Sequence, residues 1–329
     1  MIVEYKMLNF LEFSIFVIGG NRMRENAIRL DGGFHNDVFY MEEKGKVVRI
    51  SNDEKTKESV LQEIEWMNFL YERDVAVPKP DMHLEEENGR VRAYFEFIKG
   101  DMMDVRNTLH WNEKVFEQWG KTLGRMHALT KRFRLEEIHR PVWTVENTDV
   151  FGIRKNLSLW LRDRYDELMQ SLCGFDSMER TFGLIHNDFH QGNLIITNDG
   201  TITTIDFDDC AFNWYAQDIA VAFYHAYWQH SSYNGDSKDF PQTFMKHFLS
   251  GYQTENLLHD DIVKQIPIFL KLREIFLYEL FTQKWDNNNL EEWQTYTLLD
   301  LEEKITNKTA YAGIIDFSNY IISKSKKRV

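Results

Sequence analysis

Leu184 to Asp218 reads LIHNDFHQGNLIITNDGTITTIDFDDCAFNWYAQD. His186, Asp188 and Asn193 stand in the spacing H-x-D-x-x-x-x-N, and Asp206-Phe207-Asp208 follows thirteen positions after Asn193. Between them lies a hairpin. Leu194–Thr197 and Thr201–Ile205 are β-branched or aliphatic, and Asn198-Asp199-Gly200 is a turn. A hairpin returns the chain to its starting level, so Asn193 and Asp206 are expected side by side. Asp188, five residues ahead of Asn193, is expected on the loop entering the same corner. Three oxygen-bearing side chains at one point suit a hard cation such as Mg²⁺, with one carboxylate left to orient a hydroxyl.

Taken singly, Asp and Asn in such a stretch are turn and cap residues. The combination of H-x-D-x-x-x-x-N, a hairpin of this length and D-F-D resembles the catalytic core of eukaryotic-type kinases. More closely it resembles the aminoglycoside phosphotransferase and choline kinase superfamily. The resemblance extends over about residues 26–285 and implies an α+β, bilobal protein-kinase-like fold. One lobe, residues 1–98, would be an antiparallel sheet with one main helix and would bind the nucleotide. The other, residues 99–329, would be mostly helical, with the catalytic and acceptor-binding groups. The implied reaction moves the γ-phosphoryl of ATP, or GTP, to a hydroxyl of a small molecule. Asp188 would take the catalytic role, and Asn193 and Asp206 would bind Mg²⁺.

Upstream the sequence turns to β text from Ala27. Ala27–Asp31, Val38–Glu42 and Lys46–Ile50 read as strands, with Glu43–Gly45 as a turn. Gly32-Gly33 alone marks a hairpin turn. Gly32-Gly33-Phe34-His35-Asn36-Asp37-Val38-Phe39 also resembles the family's nucleotide-positioning loop, which brings in Gly32, Gly33 and Phe34 as nucleotide-binding residues. Gly19-Gly20 is expected to be a turn within a helix and connector over residues 1–25.

Ser51-x-x-Glu54 reads as a capping box opening a helix. Val60, Leu61, Ile64, Met67 and Tyr71 give that helix its apolar stripe. Glu63 flanks the stripe within reach of Arg49 in the preceding strand, with Glu58 and Glu65 as competing partners. In kinases a strand lysine held by a helix glutamate contacts the phosphates. Here the resemblance assigns that role to Arg49, held by Glu63, and Arg forks two bonds where Lys places one charge. Two strands are expected around Asp81–Glu87 and Arg90–Ile98. Glu96 to Gly100 resembles the hinge whose main chain reads the base, so Glu96 and Ile98 join the nucleotide set.

Beyond the hinge, Phe116, Trp119, Leu123 and Met126 form one helical stripe. His127 is expected to be a packed histidine and no catalyst. A second helix is expected over 151–172. Ile219–Trp228 is apolar nearly all round and should be buried, with Asp218 resembling the residue that anchors the catalytic-loop backbone. Only a dozen residues separate Asp206 from Asp218, too few for a peptide-docking segment. A small-molecule acceptor follows. Further helices are expected over 238–252, 261–283 and 290–323.

The 329 residues are 43% hydrophobic and 14% aromatic, enough for sizeable cores. Cys173 and Cys210 lie in no metal-type spacing, and the N-terminal apolar run is too short to span a bilayer. No membrane role and a cytoplasmic home are expected. A net charge of −13 argues against nucleic acid as a partner. Residues 201–300 hold 6 Lys or Arg against 15 Asp or Glu, a net of −9. With Asp209, Trp214 and Tyr215 expected to face the cleft, this balance favours an amine-bearing acceptor, such as an aminoglycoside, choline, ethanolamine or an amino alcohol like homoserine. Asp208 is left open between metal and substrate. The rival expectation is a kinase-like scaffold that binds nucleotide without turnover.

Overall fold

The computed structural model describes residues 18–22, 27–30, 36–52, 54–144, 153–175, 178–235 and 238–320. A six-stranded antiparallel sheet comes first, in the order β1-β2-β3-β4-β6-β5. Its strands are β1 (Ile18–Arg22), β2 (Ala27–Leu30), β3 (Asp37–Met41), β4 (Lys46–Ile50), β5 (Glu85–Glu87) and β6 (Arg90–Glu96). The three strands expected from Ala27 onward are present within a residue or two. Gly19-Gly20 lies inside β1 and is no turn; strand pairing with β2 takes precedence over the local preference of two glycines. Gly45, with φ of 60°, closes the β3–β4 connection in a left-handed conformation that glycine adopts without strain.

One helix, α1 (Lys57–Tyr71), packs on the sheet. It begins later than the capping box implied, because Thr56 caps it by accepting from the Ser59 amide at 3.2 Å. Ser51 instead closes the β4–β6 edge, its hydroxyl accepting from the Val91 amide at 2.9 Å. Val60, Ile64, Met67 and Leu70 bury the helix's apolar face, whereas Tyr71 is exposed.

Past Glu96 the chain leaves this sheet. β7 (Gly100–Met102) pairs with β9 (Leu194–Thr197), which pairs with β10 (Ile202–Thr204). A two-stranded ladder joins β8 (Phe182–Ile185) to β11 (Ala211–Trp214). The remainder is helical: α2 (Glu113–Thr130), α3 (Leu159–Leu172), α4 (Met178–Thr181), α5 (Tyr215–Asn234), α6 (Phe240–Glu255), α7 (Asp260–Lys284) and α8 (Glu292–Thr306). The final helix is shorter than expected. Asn307 and the positive φ of Lys308 end it, and short 3₁₀ turns follow.

α5 is the buried axis of this half, with Ile219, Ala220, Val221, Ala222 and Phe223 all inaccessible. α2 and α6 pack face to face at unusually close range. A Cβ at Gly120 would lie 1.8 Å from the Phe248 carbonyl oxygen, and one at Gly251 the same distance from that of Glu117. No described helix is long and apolar enough to cross a membrane.

Candidate active site

The loop His186–Asn193 is held from below. Asp218, in the first turn of α5, accepts the His186 amide at 3.0 Å and the Asn187 amide at 2.6 Å. His127 Nε2 donates to the same carboxylate at 3.2 Å while its Nδ1 accepts from Tyr252. His127 is therefore a fully buried scaffold residue. The His186 ring donates to the Ile205 carbonyl at 3.0 Å, tying the loop to the far strand of the hairpin. Asn187 takes a left-handed turn at φ 73°, a conformation asparagine tolerates. Its side chain bonds the Asp209 carbonyl and Asn213.

The hairpin closes as its text implies. Thr204 faces Leu194 and Thr203 faces Ile195, and the Ile205 amide donates to the Asn193 carbonyl at 2.9 Å. Asn193 and Asp206 consequently line one cavity of about 800 Å³. Its walls include Leu30, Val38, Val47 and Phe95 from the sheet, Glu96 and Ile98 from the chain leaving it, and Ile195 and Ile205 from the hairpin. Arg49 and Glu63 line it too. Gly32, Gly33 and Phe34 lie outside the described residues.

Arg49 forks to Glu63 with bonds of 2.7 and 2.8 Å, and neither side chain is appreciably exposed. Glu58 and Glu65 take no part. Burial would favour a neutral guanidinium, but Glu63, Asp208 and Asp206 outweigh it and raise the Arg49 pKa, so the charge is secure. Asp208 lies 3.8 Å from Arg49 and 3.4 Å from Lys55. Burial would raise its pKa, yet Arg49, Lys55, Asn36 and Arg140 hold its carboxyl well below the usual range. The side chain is turned to these cations.

Arg140 escaped the sequence reading because nothing in its neighbourhood carries a motif. It is buried, and it staples α1 to the segment after the hairpin. Its Nε donates to the Cys210 carbonyl at 2.7 Å, one terminal nitrogen to the Asp208 carbonyl and the other to the Ser59 hydroxyl at 3.2 Å. Its own amide donates to Gln62 Oε1 at 2.9 Å.

Asp206 keeps one face open to the cleft, with protein on its other sides. Burial first, then the neighbouring Asp208 carboxylate, push it up to about 7, with Asp209 and Asp188 adding to the effect. Such an excess of negative charge around an accessible oxygen donor fits a divalent cation. Among the described residues no group of three His, Cys, Asp or Glu stands as a ready metal cage. Asn193 and Asp206 would hold an ion from one side only, as Mg²⁺ commonly is when phosphates complete its shell.

Asp188 shows what sequence reasoning missed. One oxygen receives Arg273 at 3.1 Å, the other His190 Nε2 at 3.2 Å, and Asn193 Nδ2 donates to its carbonyl at 3.0 Å. Burial would raise its pKa, but His190, Arg273 and His225 hold it well below the usual range. Arg273 comes from α7, and no spacing in the text links it to Asp188.

The acidic balance of residues 201–300 is largely outside the cleft. Asp260, Asp261 and Glu292 sit in helix first turns, and only Asp206 from that span lines the cavity as an acid. Trp214 and Tyr215 do not face the cleft. Both are buried, against Trp143, Phe182 and Phe269 or against His127, because β11 and the start of α5 form the core here. The acids lining the cavity from before residue 201 include Glu96, Asp101 and an Asp104 paired with Arg106.

Comparisons with known proteins agree with this architecture. Residues 26–252 match the model of the phosphotransferase enzyme family. Amicoumacin kinase of Bacillus subtilis (strain 168) is 30% identical over 283 residues, covering 80% of this chain and 81% of that protein. The solved structure of amicoumacin kinase hAmiN, in complex with AMP-PNP, Ca²⁺ and Ami, superposes with a TM-score of 0.79 at 26% identity. It covers 96% of this chain and 97% of that one. A microcompartment-associated aminopropanol kinase shares the fold at a TM-score of 0.62 and 19% identity, covering 89% and 92%. The chain thus belongs to the phosphotransferase enzyme family, as a small-molecule kinase of bilobal, protein-kinase-like fold.

Proposed function

We propose that this kinase transfers the γ-phosphoryl group of ATP to a hydroxyl of a small, amine-bearing molecule, with amicoumacin as the first acceptor to test. The observation that carries it is a single cavity lined by the forked Arg49–Glu63 pair, Asn193 and Asp206, with Asp188 hydrogen-bonded to Asn193 beside it. The nucleotide is held between residues 1–98 and 99–329. Leu30, Val47, Phe95, Ile195 and Ile205 sandwich the base, and the main chain from Glu96 to Ile98 meets its edge. Gly32, Gly33 and Phe34, outside the described residues, are assigned to the nucleotide by the sequence resemblance. Arg49 holds the phosphates, and Asn193 and Asp206 would hold Mg²⁺, which would supply positive charge against the transferring group. Asp188 orients the acceptor hydroxyl and takes its proton as the new P–O bond forms and the bond to ADP breaks. Asp218, accepting the His186 and Asn187 amides, keeps the loop backbone still while this happens.

Support for an amine on the acceptor is of two kinds. Glu96 and Asp101 put carboxylates on the cavity wall, beside an Asp104 that is already paired with Arg106. The relatives named as kinases of amicoumacin and aminopropanol point the same way. The test is a phosphorylation panel with Mg·ATP: amicoumacin, 1-amino-2-propanol, ethanolamine, choline and kanamycin, with glucose as a neutral control. Label transferred to an amine-bearing member, and not to glucose, is the expected result. Transfer to glucose alone would remove the amine from the proposal and leave the kinase.

A further inference from the structure

Two separate systems act on Asp188. Its backbone is fixed through Asp218, which takes the amides of His186 and Asn187. The orientation of its carboxylate is fixed by other groups, chiefly Arg273. The guanidinium NH2 donates to Asp188 Oδ1 at 3.1 Å and to His225 Nε2 at 2.7 Å. His225 therefore carries its proton on Nδ1 and stays neutral, and its pKa is driven well below normal by burial and then by Arg273. The His225 ring stacks on His190 at 4.6 Å. His190 Nδ1 accepts from the Gly192 amide, which leaves Nε2–H to donate to the other oxygen of Asp188. Asp188, Arg273, His225 and His190 thus close a ring. Arg273 is 10% exposed and lies over Phe276 at 5.1 Å, so its rotamer is fixed by packing.

Arg273 stands in the middle of α7, beyond residues 26–252 that the family model matches. A residue serving only to bind α7 to its neighbours would need no charge. α7 already packs on α5, and its Ile266, Phe269, Leu270 and Ile275 are buried. We infer that Arg273 is a positioning residue for phosphoryl transfer, holding the Asp188 carboxylate, together with His225 and His190, in the one orientation that meets the acceptor hydroxyl. The inference rests on the kinase reading above and names a residue which that reading does not require.

The test is a double-mutant cycle on the full chain. Turnover is measured with the acceptor that wild type phosphorylates in the panel, and also as acceptor-free Mg·ATP hydrolysis, where water takes the acceptor's place. Arg273→Ala should lower kcat by about 10- to 100-fold, the scale of a misplaced reacting group, with the Kd for Mg·ATP within about twofold. Millimolar guanidinium should restore part of the loss. In an Asp188→Asn background the same substitution should cost less than about threefold, since nothing is left to position. Arg273→Lys, which keeps the charge and loses the fork, should fall between, and it carries the test if Arg273→Ala does not fold. An undiminished loss in the Asp188→Asn background would mark Arg273 as structural and overturn the inference. So would a kcat within threefold of wild type, or a faster variant, which would mark the pair as a restraint. Wild type transferring phosphate neither to the panel nor to water would overturn the kinase reading itself, a failure visible before any variant is made.

Discussion

At the scale of single residues, two carboxylates a short way apart are driven in opposite directions. Asp188 is held ionised, whereas Asp206 is pushed up to about 7 by its burial and by Asp208. Without a cation these neighbours draw Asp206 toward its protonated form. Its ionised form is the one that binds metal, so nucleotide-dependent Mg²⁺ affinity should rise with pH up to about 7 and then level. Titration of Mg·AMP-PNP binding between pH 5.5 and 8.5 checks the sign; a flat profile would remove Asp206 from the metal site. The ion-free protein carries the converse effect. A carboxylate whose folded pKa is raised loses stability as pH climbs from its unfolded value through the folded one, so Asp206→Asn should melt higher than wild type at pH 8 without metal. Asp188→Asn should lower turnover by about 10² or more, the usual worth of a positioned proton acceptor, with nucleotide affinity kept. Calorimetry beside a coupled assay separates the two quantities.

Elements are where the text was most readable and where its limits show. The hairpin was legible, its first strand to the residue and its second within one residue at each end, because a turn signal between two β-branched runs is a local rule and needs no partner elsewhere. The Arg49–Glu63 fork was legible from a strand and a helix stripe lying next to each other in the chain. It joins β4 to α1 in a nearly dry setting, so Glu63→Ala should destabilise the fold by about 3–5 kcal/mol, measured by denaturant unfolding. Arg140, Arg273 and His225 were not legible. Each acts on a partner dozens of residues away, and a lone Arg or His in a helix or loop carries no signal of that. The α2–α6 approach was equally silent, since Gly120 and Gly251 are read as ordinary helix glycines until Phe248 and Glu117 are found against them. Gly120→Ala should lower stability by about 3 kcal/mol, the upper end for overpacking. Thermal melting checks it, and an unchanged midpoint would mean that the helices part easily.

Across the whole molecule, charge was counted correctly from the sequence and assigned to the wrong place. The acids behind the −9 of residues 201–300 are divided among helix first turns such as Asp260 and Asp261, buried and paired acids such as Asp218 and Glu274, and Asp206 at the cavity, which Glu96 and Asp101 also line. Composition cannot separate those cases, because burial is set by packing. The amine-bearing acceptor should still feel the overall −13, so its KM should rise with ionic strength while Mg·ATP binding changes less. Asp101→Asn should weaken the effect, and a KM indifferent to salt would place recognition in shape alone. Arg140 has a consequence of another kind, for pharmacology. In protein kinases the helix beside the nucleotide is a moving part whose position controls activity. Here that helix is pinned by Arg140 through Ser59 and Gln62 to the Asp208–Cys210 segment, and moving it would strand a buried guanidinium. Compounds that wait for such a movement should find nothing to enter, and drug discovery against this enzyme is left with ligands shaped for the closed cleft.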